Sequence, residues 1–413
     1  MALFEAIDSN IGDEVGHKVM PVSKNMAHAK LDILCRVTHD ISEVEADWRS
    51  LEKNGVESPG QSFDFIKQWT ESFGIPTSEQ SYCVVRLEGA PIALFSLQNQ
   101  NRFGVKILAP FPGTHVGCAP PLVDVARMAK LNTNQRETLW RAARDQFKGV
   151  DAVYLPYVPQ VIDGETGIYD QIGTFAPADT LYRSTFESWE QCDREQRSRS
   201  RRKHDKQQGV RLEALGEVGF EELDAQSENA DKVLDCMFIQ RARRFKEKGI
   251  RDPFADEAQR AFYRDALKGK GALKGMLHVL RLNNEDVAVR YNLVHQDRMF
   301  CLISSMSDNP KIQAGSPGKQ CLLRVMKNVF DNGIRTFDMG AGFTDEKRHW
   351  CNEQISLRHY YVPLTLKGRV VSTISRWKKT LRYHIKYDER LMKLIKSLRC
   401  SILRFQPKTK KSS

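Results

Sequence analysis

This chain runs through one structural plan twice, and that constrains its fold more than any other feature. Residues 82–87 read as a strand, Glu88-Gly89-Ala90-Pro91 as a turn and 92–98 as a returning strand. Residues 278–282, Asn283-Asn284-Glu285-Asp286 and 287–294 repeat that hairpin. The copies share wording, Val84-Val85-Arg86-Leu87 against Val279-Leu280-Arg281-Leu282. An amphipathic helix follows each hairpin after intervening segments, over 135–147 and 320–332. Each helix gives way to a glycine and a short strand, 149–155 and 333–339. Glycine suits the left-handed position that ends a helix, so helix, Gly149 or Gly333, then strand is a physical match as well as a textual one. The period is far too long for a solenoid. These observations predict an α/β chain of two similar halves, each a mixed, mostly antiparallel sheet flanked by helices.

The copies differ just before their helices. The second has Gly315-Ser316-Pro317-Gly318-Lys319, a tight turn that leaves backbone N–H groups free at a helix N-terminus beside a lysine. Leu322, Leu323, Val325, Met326, Val329 and Phe330 then recur at helical spacing. The first copy has Cys118-Ala119-Pro120-Pro121-Leu122, whose prolines have no N–H to offer an anion. After its helix the second copy reads Phe337-Asp338-Met339-Gly340-Ala341-Gly342, with Lys347 and Trp350 behind. A Gly-Pro-Gly turn alone serves equally well as the start of a helix that binds nothing.

Taken together, this run resembles the second half of the CelD/BcsL-like acetyltransferases of the GNAT superfamily. The residues that carry the likeness are Ser316, Pro317, Gly318, Gly333, Asp338, Gly340, Gly342, Lys347 and Trp350; Glu346 departs from it, standing where that pattern has an aromatic residue. The likeness spans roughly residues 31–370 and is specific in the second half. It implies tandem GNAT-like domains over 30–187 and 188–375, after a flexible lead-in over 1–29 and before a basic amphipathic tail over 376–413. It also implies acetyl-CoA, or another acyl-CoA, as co-substrate. The acceptor would be an amine of a sugar, a glycolipid or a similar envelope or exopolysaccharide precursor.

Such a transfer needs a grip on the donor's diphosphate, a hydrogen-bond donor for the developing oxyanion, and a neutral amine nucleophile. Gly315, Ser316, Pro317, Gly318 and Lys319 are the candidates for the grip. Backbone N–H groups of strand 300–306, assisted by Ser304 or Ser305, are candidates for the second need. Asp338 is the candidate proton acceptor, with Lys347 and Glu346 beside it and His349 as a further candidate; a structural Asp338–Lys347 ion pair is the competing reading. Gly340, Gly342 and Trp350 are the acceptor-side candidates. Neither a Gly-x-Ser-x-Gly elbow nor a Walker loop occurs, which favours direct attack by the acceptor over a covalent enzyme intermediate and argues against nucleotide hydrolysis.

Between the halves, residues 194–208 are dense in arginine and lysine and end at Gly209, predicting one helix from about Trp189, capped at Gly209 and followed by a strand over 210–213. A solvated surface helix, a nucleic-acid patch and a grip on substrate anions are its three readings, Arg199 and Arg202 being the candidates for the last. The Fem aminoacyltransferases resemble this arrangement, so an aminoacyl-tRNA-dependent transferase is an alternative function, as is a non-catalytic GNAT-like assembly or regulatory subunit.

Composition limits the partners. The nine cysteines stand singly, without a Cys-x-x-Cys or a Cys/His cluster, so no metal is expected and the thiols are expected reduced, as in a cytoplasmic protein. No apolar run approaches membrane-spanning length. The net charge of +11 lies entirely in residues 376–413, which hold 13 Lys/Arg and 2 acids. The remaining residues are balanced, and no helix-turn-helix, zinc-finger or RNA-binding aromatic pattern occurs, so DNA is not an expected partner. Ile374, Trp377, Leu381 and Ile385, then Leu391, Leu394, Ile395, Leu398 and Ile402, recur at helical spacing among those cations. That pattern reads either as a peripheral contact with an anionic membrane or as a helix packed on the body.

Overall fold

The computed structural model describes residues 31–388 apart from 103, 113–115 and 270. The lead-in expected over 1–29 and the stretch of tail beyond 388 lie outside the described residues.

In the first half, β1 (Ile33–Thr38), α1 (Glu45–Glu52) and α2 (Phe63–Ser72) precede the hairpin β2 (Gln80–Leu87) and β3 (Ala90–Arg102). Then come β4 (Val105–Pro110), the short β5 (Leu122–Val123), α3 (Val125–Lys130), α4 (Thr133–Arg144) and β6 (Ala152–Pro159). A small ribbon of β7 (Val161–Ile162) and β8 (Glu165–Thr166) leads to β9 (Thr174–Thr185). Helix α4 starts where Asn132 and Gln135 form a reciprocal capping box, and it buries Leu139, Trp140 and Ala143 against the sheet.

The second half opens with α5 (Trp189–Gln196) and α6 (Arg199–Glu213), then β10 (Val218–Leu223), α7 (Ala230–Glu247) and α8 (Glu257–Leu267). Its hairpin is β11 (Leu273–Leu282) and β12 (Glu285–His295), followed by β13 (Arg298–Met306), α9 (Pro310–Gln313), α10 (Pro317–Asp331) and β14 (Thr336–Ala341). The short α11 (Asp345–Trp350), β15 (Glu353–Pro363) and α12 (Leu366–Tyr387) complete it.

Both half-sheets belong to one continuous sheet, in the order β1-β2-β3-β4-β6-β15-β9-β14-β13-β12-β11-β10, with β5 on β3. The halves exchange their last strands. Strand β9 ends the first half in the chain but pairs with β14, whereas β15 ends the second and pairs with β6. The sequence limits 30–187 and 188–375 are thus a division in chain order, and the sheet runs across it. Helix α12 likewise runs unbroken through the limit at 375/376.

Three buried clusters organise the layers. One lies under α4 and one under α10. The third joins α1 and α2 of the first half to α7 and α8 of the second, with Phe262 edge-on to Phe65 and Trp69 at 5.1 and 4.9 Å. Fully burying each such ring contributes about 1.5–3 kcal/mol, so this shared core fixes the halves relative to each other.

The interdomain basic segment differs from the sequence expectation. Two helices form, because the Ser198 hydroxyl caps α6 at the Arg201 N–H and breaks the run at 197–198. Gly209 lies inside α6, where an added Cβ would stand 3.3 Å from Gln320; its smallness lets α10 approach, and the next strand starts only at Val218.

Candidate functional site

The site begins with a bulge. Strand β14 runs parallel to β13 for three residue pairs, Arg298–Thr336, Met299–Phe337 and Phe300–Asp338. Beyond them Gly340 adopts φ 76° and Gly342 φ 90°, conformations that favour glycine, and the pairing of β14 with β9 slips between Asp338 and Ala341. One carboxylate oxygen of Asp338 accepts the Gly340 N–H at 2.7 Å and holds the bend. Strand β14 therefore turns away from β13, opening a slot of about 330 Å³ between residues 300–304 and 338–341, with Glu346, Lys347 and Arg290 around it. The β13 edge past Phe300 has no strand partner on this side among the described residues.

Asp338, Glu346, Lys347 and Gly340 all line this slot, so the structure brings together four of the residues singled out in the sequence. Their partners differ from those expected. Asp338 is buried, and its second oxygen accepts from Arg183 Nε at 2.7 Å; Arg183 in turn pairs with Glu57 at 2.7 Å, and Glu57 with Arg298 at 2.7 Å. Lys347 does not pair with Asp338: its ammonium donates to the carbonyls of Gly340 and Ala341 at 3.1 and 2.8 Å, tying the glycine bend to α11. Burial lowers the Lys347 pKa below its ordinary value, against the pull of the nearby Asp338 charge.

Each carboxylate oxygen of Asp338 already accepts a hydrogen bond, one from the Gly340 N–H and one from Arg183, so the group is held in place by the bend and by the buried ion-pair chain. Glu346 is less constrained. It is half-buried, with one long contact to Arg290 at 3.4 Å. Arg290 is itself buried, and its guanidinium reaches the Gly318 carbonyl at 3.4 Å and the Cys301 thiol at 3.7 Å, its Nε having no partner among the described residues. The slot is thus floored by an under-satisfied cation.

The turn 315–319 adjoins the slot through Arg290 but does not line it. Leu212 of α6 packs on Gly315, and the Gln208 amide donates to the Ser316 hydroxyl at 2.9 Å. Ser316 sits at φ 52°, and its carbonyl accepts from the amides of Lys319 and Gln320, so the first turn of α10 is partly closed upon itself. Lys319 keeps a half-exposed side chain. Burial lowers the pKa of His349, with Arg201, Arg348 and Lys319 as neighbouring positive charges, so three elements converge cations on this end of α10.

Other expected residues point elsewhere. The Ser305 hydroxyl donates to Gln240 at 2.7 Å toward α7, and its neighbour Ser304 lines the slot instead, as alternation along a strand requires. Trp350 is a core residue, 6.2 Å from Trp189 between ring centres. The Gly342 N–H bonds the Thr180 carbonyl and holds β9. Arg202 is paired with Asp193 at 2.8 Å, and Arg199 is exposed. His295 faces Glu52 at 3.6 Å in a separate cavity of about 610 Å³ at the opposite end of β13 and β14.

Sequence reasoning missed Val116 and Gly117, through which the first half closes one side of the slot, and it missed Arg183, Arg290 and Glu57. Arg290 lies in a strand pattern that reads only as buried. Gly117, at φ 84° and next to Gly340, carried a signal in its glycine but no hint of its partner.

Residues 199–348 match the family model of the acetyltransferase (GNAT) domain. Among solved structures, FemX superposes with a TM-score of 0.55 at 11% identity, over 83% of this chain and 100% of that one. The C-terminal domain (DUF2156) of a protein assigned as a lysylphosphatidylglycerol synthetase, from Agrobacterium fabrum, superposes with a TM-score of 0.50 at 10% identity, over 81% and 95%. At such identities the likeness is one of fold. No curated protein sequence matches the chain. The second half of this α/β chain is therefore similar to the GNAT acetyltransferase domain over residues 199–348, and the chain as a whole is similar in fold to FemX.

Proposed function

We propose that this protein is an acyltransferase that moves an acyl group from an acyl-CoA thioester, acetyl-CoA foremost, to an amine. The observation that carries the reading is the slot, where β13 parts from β14 and leaves an unpaired backbone edge. An extended pantetheine arm fits such an edge as an added strand. The residues present fit the donor in part: the slot is open, and Lys319 and Arg201 both lie near enough to His349 to act on its charge, although Arg201 is paired with Asp205 at 3.2 Å, while Leu212 and Gln208 narrow the helix mouth.

In the step proposed, the amine nitrogen forms a bond to the thioester carbon, the carbon–sulfur bond breaks, and the thiol leaves with a proton. Glu346 takes the proton from the amine, a role for which its free lone pairs suit it better than those of Asp338. Asp338 and Lys347 position the bend, and backbone N–H groups of residues 301–304 are the candidates for holding the carbonyl oxygen as charge develops there. The CelD/BcsL-like resemblance supports an amine on a sugar or glycolipid precursor as acceptor, with the protein working at the cytoplasmic face.

Calorimetry with acetyl-CoA tests the donor. Wild-type protein should bind it, and Lys319→Glu should weaken binding by about tenfold or more through loss of a charge-assisted contact. Absence of binding to the wild type would end the reading. A second reading, aminoacyl transfer from charged tRNA, draws support from the exposed cations of α6, Arg199, Lys203, Lys206 and Arg211. Salt-sensitive tRNA binding without acetyl-CoA binding would favour it.

A further inference from the structure

Helix α12 packs on β9 and β15, and at its start so close to the residue before β6 that a Cβ on Gly368 would collide with the Asp151 carbonyl at 1.8 Å; Ser372 is buried on the same face. Its opposite face has no cover among the described residues. Leu366, Val370, Ile374, Trp377 and Leu381 are each between 45% and 78% exposed, in a molecule whose other exposed large apolar side chains are scattered. At about 100° per residue these five fall within about 80° of arc, centred opposite Gly368 and Ser372. The helix carries Lys367, Arg369, Arg376, Lys378, Lys379, Arg382 and Lys386, and no acid. Lys367, Lys378 and Arg369 are exposed and border the stripe on its two sides.

We propose that this face of α12 docks on an anionic lipid surface, its apolar stripe entering the headgroup boundary and the bordering cations meeting lipid charge. A stripe of this width with a tryptophan within it, with cations on both sides and no acid on the helix, is the pattern of a helix lying in a membrane interface, where cations near the surface add to the attraction. A second copy of the chain would bring like charge onto like charge. Residues 389–413 hold eight Lys/Arg against one acid and carry the same handicap as a cover.

The sequence pattern centred this surface on 376–413; the structure starts it ten residues earlier and shows which side is free. Its far end also touches the slot's surroundings. Asp179 accepts from Lys386 and from the Tyr387 hydroxyl at 2.7 and 2.8 Å, and a Cβ on Gly342 would stand 3.8 Å from Asp179. If the acyltransferase reading holds, docking brings an acceptor displayed on a lipid surface near the slot. The docking itself does not depend on that reading.

Co-sedimentation of the full chain with vesicles tests it. Binding is expected to vesicles of phosphatidylcholine with phosphatidylglycerol, to weaken with salt, and to be far weaker on phosphatidylcholine alone. The double variant Ile374→Ser/Trp377→Ser should lose binding by about tenfold or more at unchanged Tm, since both side chains are exposed, and Arg369→Glu/Lys378→Glu should remove the preference for anionic vesicles. Wild-type binding that the first variant leaves intact would overturn the proposal. So would a wild type that ignores vesicles, including one that forms a dimer in solution which that variant dissociates.

Discussion

The two halves build the same gap between parallel strands, and only one leaves it open. In the first half β4 and β6 pair in parallel at Ile107–Ala152 and Leu108–Val153, and the space beyond is filled by Phe95, Leu97, Pro110, Pro112, Pro120 and Pro121, leaving about 10 Å³. In the second half the equivalent space is about 330 Å³. The fold supplies the place where the strands part; local residues decide whether it becomes core or site. Prolines, Leu97 and Phe95 close one copy, whereas a bend at Gly340 and Gly342, held by Asp338, Lys347 and the Thr180 carbonyl, opens the other.

The comparison breaks most severely at Asp338. Asp338→Ala leaves Arg183 buried with one partner fewer and should cost about 3–5 kcal/mol of stability, read as a lower denaturant midpoint. Glu346→Gln, in contrast, should keep the midpoint within about 0.5 kcal/mol while lowering kcat/KM about 10²–10⁴-fold. The reverse pattern would return the proton-accepting role to Asp338. Matched fillings of the two gaps sharpen the contrast. Ser304→Trp should lose about 100-fold in kcat/KM with little change in Tm. Ser96→Trp, in the closed copy, should cost about 1–3 kcal/mol by overpacking and leave acetyl-CoA affinity alone in the protein that remains folded.

A pH scan tests the network that joins the halves. Burial alone would raise the Glu57 pKa, but Arg183 and Arg298 outweigh it and bring the group from an ordinary 4.5 to about 2. Because the folded value is the lower one, its stabilisation is complete above about pH 4.5 and is lost as pH falls toward 2, so Tm should drop across that window. Glu57→Gln should flatten this part of the curve. The smallest effect is expected at Arg202→Ala, where a partly exposed pair with Asp193 is lost: at most about 1 kcal/mol, with unchanged kcat/KM.

Much of the fold was legible because it repeats. Hairpins at 82–98 and 278–294, and helix-glycine-strand units ending in β6 and β14, follow from alternation, helical spacing and left-handed glycines, all of them local. The Asp-x-Gly-x-Gly run was legible as a close approach at a strand end, and it makes the bulge that opens the slot. The basic segment misled because helix propensity and a terminal glycine suggested one helix, whereas a serine cap and contact with α10 decided otherwise. Ser305 misled by a single step along a strand, enough to turn a side chain to the other face.

Sequence alone determined two α/β copies and the glycine-rich strand end that sets the second apart from the first. Those are properties of neighbouring residues, written in spacing and backbone preference. The exchange of β9 and β15, the Glu57–Arg183–Asp338 chain and the free face of α12 were decided by tertiary structure. Each depends on which distant segment arrives opposite, over separations of 126 and 155 residues for the two Arg183 bonds, and no local pattern encodes a partner so far along the chain.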